Sequence, residues 1–82
     1  MPASDALREA VLRKGYVQDP VKPSYFEQQA PYKCVRITDN KDGSFSIDYY
    51  SQYRGRSLRG EFGPKGGRKN YAARAIADLF FS

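Results

Sequence analysis

Apolar and polar positions along this chain change period more than once, and each change marks an element. Over "SDALREAVLRK" the apolar Leu7, Ala10 and Val11 recur at three- and four-residue spacing, as on a helix with one buried stripe. Ser4 or Asp5 is the expected N-cap. Gly15 followed by Tyr16 predicts a Schellman-type end, with glycine taking the left-handed conformation and the tyrosine folding back on the helix. This helical unit occupies 1–16. The segment 17–32 contains Pro20, Pro23 and Pro31. Proline removes an amide donor and disfavours helix before it, so this segment reads as an extended surface connection anchored by Tyr25 and Phe26. Within it, "SYFEQQ" leaves open a further short edge strand over 23–29.

From 33 to 63 the period becomes two. "KCVRITD" places Val35 and Ile37 on one face and Cys34, Arg36 and Thr38 on the other. "NKDG" supplies turn chemistry, and "SFSIDYYSQY" then sets Phe45, Ile47 and Tyr49 on a common face, which makes a hairpin. "SLRGEF" returns as a third strand with Leu58 and Phe62 on one side, and Gly60 between them leaves room for a bulge or a close helix. The last helix is expected over 67–81, starting near Gly67 or Arg68. Its predicted buried stripe is Tyr71, Ala72, Ala75, Ile76 and Leu79, with Asn70, Arg74 and Asp78 opposite. The fold class expected is therefore α+β: a helix, a three-stranded antiparallel sheet and a helix, both helices packed on one sheet face of a single domain, 1–82.

Composition narrows the chemistry. A chain of 82 residues supports one modest core. Histidine is absent and Cys34 is the lone cysteine, so no internal disulfide, Cys/His zinc cluster or histidine-based acid–base pair can be assembled. Asp39, Asp42 and Asp48 fall in the hairpin turn or on its outer face rather than as a converging pair. A non-enzymatic protein is expected, with no catalytic residues, no metal ligands, no cofactor and no small-molecule substrate. "MPASDALREA" has neither the basic nor the apolar region of a secretory leader, and no apolar run approaches membrane-spanning length. An intracellular location, cytoplasmic or nuclear, with no membrane partner is the matching expectation.

The net charge of +5 is concentrated. Between Arg54 and Lys69 stand Arg54, Arg56, Arg59, Lys65, Arg68 and Lys69 against Glu61 alone, so that stretch carries the whole excess. Lys65, Arg68 and Lys69 precede or occupy the expected first turn of the last helix, where the macrodipole already places partial positive charge and disfavours cations. A bound anion reverses that penalty, and Gly66 and Gly67 let backbone approach it closely. Nucleic acid is the leading expected partner.

"KGGRKNYAARAI" resembles the opening of the final helix in double-stranded RNA-binding domains, where a lysine-rich KKxAK pattern runs into xxAAxxAL; the correspondence is Lys65, Arg68 and Lys69 followed by Ala72, Ala73 and Ile76. The element order and the glycine-punctuated "RGEFG" are also similar, and the likeness is specific over about 55–80. It implies duplex RNA as ligand, favoured over DNA, with phosphates of a major groove held by Lys65, Arg68 and Lys69 and Lys41 of the hairpin turn as a further loop contact. A weaker resemblance, carried by "RSLRGEFGPKGGRKNYAARAIA", is to AP2 and integrase-type three-stranded DNA-binding domains. It implies that a sheet face bearing Arg36, Asp48, Tyr50, Arg54 and Arg59 enters a DNA groove. Arg54, Arg56 and Arg59 thus join the nucleic-acid candidates in either reading. A different reading rests on Tyr49, Tyr50 and Tyr53: tyrosine and arginine are enriched at interface hot spots, so an open Tyr/Arg sheet face suits an adaptor or inhibitor, of viral or mobile-element type, acting on a larger protein partner.

Overall fold

The proline-rich segment is where the structure departs furthest from the sequence expectation. A computed structural model describes residues 2–82. In it the elements run α1 (Ala3–Arg13), β1 (Val17–Gln18), β2 (Tyr25–Gln28), β3 (Lys33–Asp39), β4 (Phe45–Ser51), β5 (Arg56–Phe62) and α2 (Tyr71–Phe81). The expected three-stranded sheet is thus corrected to a five-stranded antiparallel meander in the order β1-β2-β3-β4-β5. The connection over 17–32 is itself a hairpin. Its prolines fall between and after the strands, never inside one: Pro20 and Pro23 lie in the β1–β2 turn, and Pro31 follows β2. The Asp19 carboxylate accepts the amides of Val21 and Lys22 at 2.8 and 2.9 Å, which closes that turn and holds the carboxyl below its ordinary pKa.

Register follows the alternation. Phe26 opposes Val35, Val35 opposes Tyr49, and Ile37 opposes Ile47, so the apolar members of three strands share one face. Both helices lie across that face. Leu7, Ala10 and Val11 of α1 and Ala73, Ile76, Ala77 and Phe80 of α2 join the sheet residues in a single buried cluster. Each large side chain so buried contributes roughly 1.5–3 kcal/mol. Phe45 and Phe62 stack with ring centroids 4.8 Å apart, and Tyr16 meets Phe80 edge-on at 5.5 Å. Gly15 takes φ +91° and its amide bonds Leu12, while the Tyr16 amide bonds Val11, the two hydrogen bonds of a Schellman end.

Three local expectations are corrected. Ser4 lies inside α1 rather than capping it: fully buried, its hydroxyl donates to Asp39 at 2.6 Å and accepts from Arg8 at 2.7 Å. The Ser4 bond, with Arg8 beside it, holds the Asp39 carboxyl below its usual value. The buried stripe of α2 is Ala73, Ile76, Ala77 and Phe80, whereas Tyr71 and Leu79 are exposed at 83% and 46%. Finally, α2 begins at Tyr71, later than 67 or 68, because the preceding residues are engaged with the sheet edge.

Candidate nucleic-acid interface

Two loops meet at one end of the sheet. In the β3–β4 turn the Asn40 amide bonds the Ser44 carbonyl at 2.8 Å and Gly43 takes φ +90°, which carries Lys41 to the tip. The β5–α2 loop folds on itself through Gly63 N–H to Gly67 C=O at 2.8 Å and Gly66 N–H to Gly63 C=O at 2.9 Å, with Gly66 at φ +84°. Pro64 lies against the first turn: a Cβ placed on Gly43 would sit 3.4 Å from the Pro64 Cβ. Ala3 at the start of α1 approaches Gly66 in the same way, at 3.8 Å.

The rest of this loop is bound to the sheet. Arg68 forms a bridge with Phe62, the Lys69 amide donates to the Glu61 carbonyl at 2.9 Å, and Asn70 caps the helix. The Asn70 Oδ1 accepts from Ala73 N–H at 2.8 Å and from Glu61 N–H at 3.2 Å, and its Nδ2 donates to the Arg59 carbonyl at 3.2 Å. One side chain therefore caps α2 and covers part of the outer edge of β5, an edge otherwise open to pairing.

This scaffold brings Lys41, Lys65, Arg68 and Lys69 to one end, all exposed and none in an ion pair among the described residues. Lys65, Arg68 and Lys69 precede α2 rather than occupying its first turn, so the dipole penalty expected from the sequence is relieved by position. Asp42 is the nearby carboxylate. Hydrogen bonds from the Ser44 hydroxyl and amide hold its pKa below the ordinary value, and Lys69 adds a smaller pull of the same sign. Asp5 and Asp39 are partnered by Arg8 on the α1 side of the same end. Beneath Lys65 and Arg68 opens a cleft of about 370 Å³ with Ala3, Leu7, Phe45 and Phe62 in its lining.

Other sequence candidates are not brought there. Arg54 lies in the turn beyond β4 and Arg56 at the start of β5, a strand's length from the basic tip. At roughly 3.3 Å per residue, β5 separates them by about 20 Å. Arg59 is on the open sheet face, bonded to Asp48 at 3.0 Å and Glu61 at 2.9 Å, while Arg36 bonds Asp48 at 3.0 Å. These pairings raise the pKa of both arginines, Glu61 being the larger influence on Arg59 and Asp48 on Arg36. The face is locally neutral. Nor do the three tyrosines share it: Tyr49 is buried under the helices, Tyr50 is on the open side with its ring 6.2 Å from Tyr32, and Tyr53 projects from the turn at 81% exposure.

Sequence reasoning missed Asn70 as the joint between α2 and β5, although a polar Asn just before an apolar helical run is a cap signal. It named Tyr25 as an anchor but not its contacts with cations: the ring lies 5.8 Å from the Arg36 guanidinium and 5.5 Å from the Lys22 ammonium. Among the described residues no cluster of His, Cys, Asp and Glu is arranged to hold a metal, and no helix is long and apolar enough to cross a membrane. Comparison with protein-family models, with curated proteins and with solved structures returned no match for this chain.

Proposed function

We propose that this protein is a non-enzymatic nucleic-acid-binding module that holds a duplex by its phosphate backbone, with RNA preferred to DNA. The observation that carries the reading is the convergence of Lys41, Lys65, Arg68 and Lys69 from two loops in contact, without ion pairs among the described residues to occupy them. Their backbones are fixed by hydrogen bonds and by contact with the sheet edge, so little loop ordering remains to be done on binding. The preference for RNA follows from what the molecule offers. A narrow basic tip suits recognition of phosphates and duplex shape, which is how A-form RNA is read. Entry of the sheet into a B-form major groove would bring the Asp48 and Glu61 carboxylates toward phosphates, with Arg36 and Arg59 already engaged. The resemblance of residues 55–80 to double-stranded RNA-binding domains points the same way.

Titration of duplex RNA, duplex DNA and single strands across a salt series tests this. Duplex RNA should bind best, and log K should fall with log salt with a slope of about 2–4, at roughly 0.9 per phosphate neutralised on B-form DNA and a similar value for duplex RNA. Replacing Lys65, Arg68 and Lys69 together by Ala should weaken binding to every sequence alike and lower the slope, with an unchanged far-UV spectrum. Equal binding by parent and triple variant would remove the site; equally feeble binding of all three nucleic acids would remove the function.

A further inference from the structure

The outer edge of β5 is only half covered. Asn70 and Lys69 take Glu61 N–H, Glu61 C=O and Arg59 C=O, the groups that face away from β4. By the two-residue alternation of a strand, Ser57 directs its N–H and C=O the same way, joined by the Arg59 N–H. Among the described residues these three groups have no backbone partner. Directly beside them, on the helix side of the sheet, α2 and β5 leave between them a wedge of about 250 Å³. Tyr49, Leu58, Tyr71, Ala75 and Leu79 line it. Of the three large apolar residues of α2 that the core leaves out, Tyr71, Leu79 and Phe81, the first two face this wedge. Arg54 and Arg56 stand at its end, exposed and without ion pairs among the described residues.

We propose that this edge takes an extended segment of a partner protein as a sixth strand beside Arg56–Arg59, with a large apolar side chain in the wedge and acidic residues facing Arg54 and Arg56. Edge pairing supplies main-chain hydrogen bonds, and alternate side chains supply specificity. The positive charge at the wedge selects an acidic segment. A second copy of this chain is a poor occupant, since antiparallel pairing of two β5 edges centred on Ser57 would set Arg56 opposite Leu58 and make the two Arg56 residues like-charged diagonal neighbours. Arg54 and Arg56 lie a strand's length from the basic tip and none of its cations lines the wedge, so this surface does not depend on the nucleic-acid reading.

A display library of random octapeptides, panned against the intact protein, provides the probe. Expected sequences alternate Asp or Glu with other residues around a Phe, Leu or Ile. They should bind the parent at least tenfold more tightly than the Ser57→Pro variant, which loses the edge donor without losing an internal hydrogen bond. Leu79→Glu, an exposed position, serves as the second variant and should show the same loss with the fold intact. Bound peptide should slow amide exchange at Ser57 and Arg59. The proposal is overturned if no acidic, apolar sequences are enriched, if selected peptides bind Ser57→Pro as well as the parent, if sedimentation shows the parent pairing with itself through this edge, or if duplex RNA rather than peptide protects the Ser57 amide.

Discussion

Asn70 does the work of three bonding partners. Its Oδ1 satisfies the free amide of Ala73 in the first turn of α2 and also accepts from Glu61, while its Nδ2 donates to the Arg59 carbonyl. Losing a helix cap costs about 1 kcal/mol, and each hydrogen bond to the strand edge adds about 0.5–1.5 kcal/mol. Asn70→Ala is therefore expected to destabilise the fold by roughly 2–4 kcal/mol, lowering the urea midpoint at constant slope. Asn70→Asp separates the contributions. A carboxylate keeps both acceptor bonds and complements the helix N-terminus, but it cannot donate to Arg59, so a loss of about half the alanine effect is expected. Equal destabilisation by both substitutions would mean that the single donor bond, and not the cap, holds the loop to the sheet.

At the scale of elements, α2 approaches the sheet over a glycine. A Cβ at Gly60 would lie 2.9 Å from the Ala73 Cα, 3.2 Å from the Ala73 amide nitrogen and 3.1 Å from the Ile47 Cγ2. Two of these are helix backbone and cannot swing aside. Gly60→Ala should force α2 outward at a cost of about 1–3 kcal/mol, seen as a fall in thermal midpoint of about 4–8 °C per kcal/mol for a domain of this size. An unchanged midpoint would show that the helix is not seated where Ala73 meets Gly60. This close approach was legible in the sequence as a lone glycine between Leu58 and Phe62, and so were the β3–β4 hairpin, from strict alternation, and the end of α1, from Gly15 and Tyr16. Of the β1–β2 hairpin only β2 was, as the short strand left open over 23–29; β1 and its pairing were not. Strands of two and four residues are too short to establish a period, and prolines in the turns look the same in sequence as prolines that abolish strands. The face of α2 was also ambiguous. In "YAARAIADLFF" two apolar stripes are available, and the space above Gly60 admits the one containing Ala73.

For the whole molecule, a run of charge along the chain is not a patch on the surface. The stretch Arg54–Lys69 holds the entire excess of +5, yet β5 passes straight through it. Folding therefore sends Arg54 and Arg56 to one end of the sheet, Lys65, Arg68 and Lys69 to the other, and Arg59 to the open face. Lys41, distant in sequence, arrives at the second end because the β3–β4 turn meets Pro64. That division was illegible before the strand register was known. It also gives the open face a definite role, because Asp48 and Glu61 hold Arg36 and Arg59 in a neutral network, so this broad surface has no net attraction for a polyanion. Replacing both carboxylates, Asp48→Asn with Glu61→Gln, adds two positive charges to that face and frees both guanidinium groups. Duplex DNA affinity at low salt should then rise several-fold, and the salt slope should increase by roughly 1–2, about 0.9 for each additional phosphate contacted. On the proposed reading, duplex RNA bound at the tip should gain less, so the difference between RNA and DNA affinity should narrow. A parent and variant with the same DNA affinity and slope would show that something other than these ion pairs keeps DNA off the sheet.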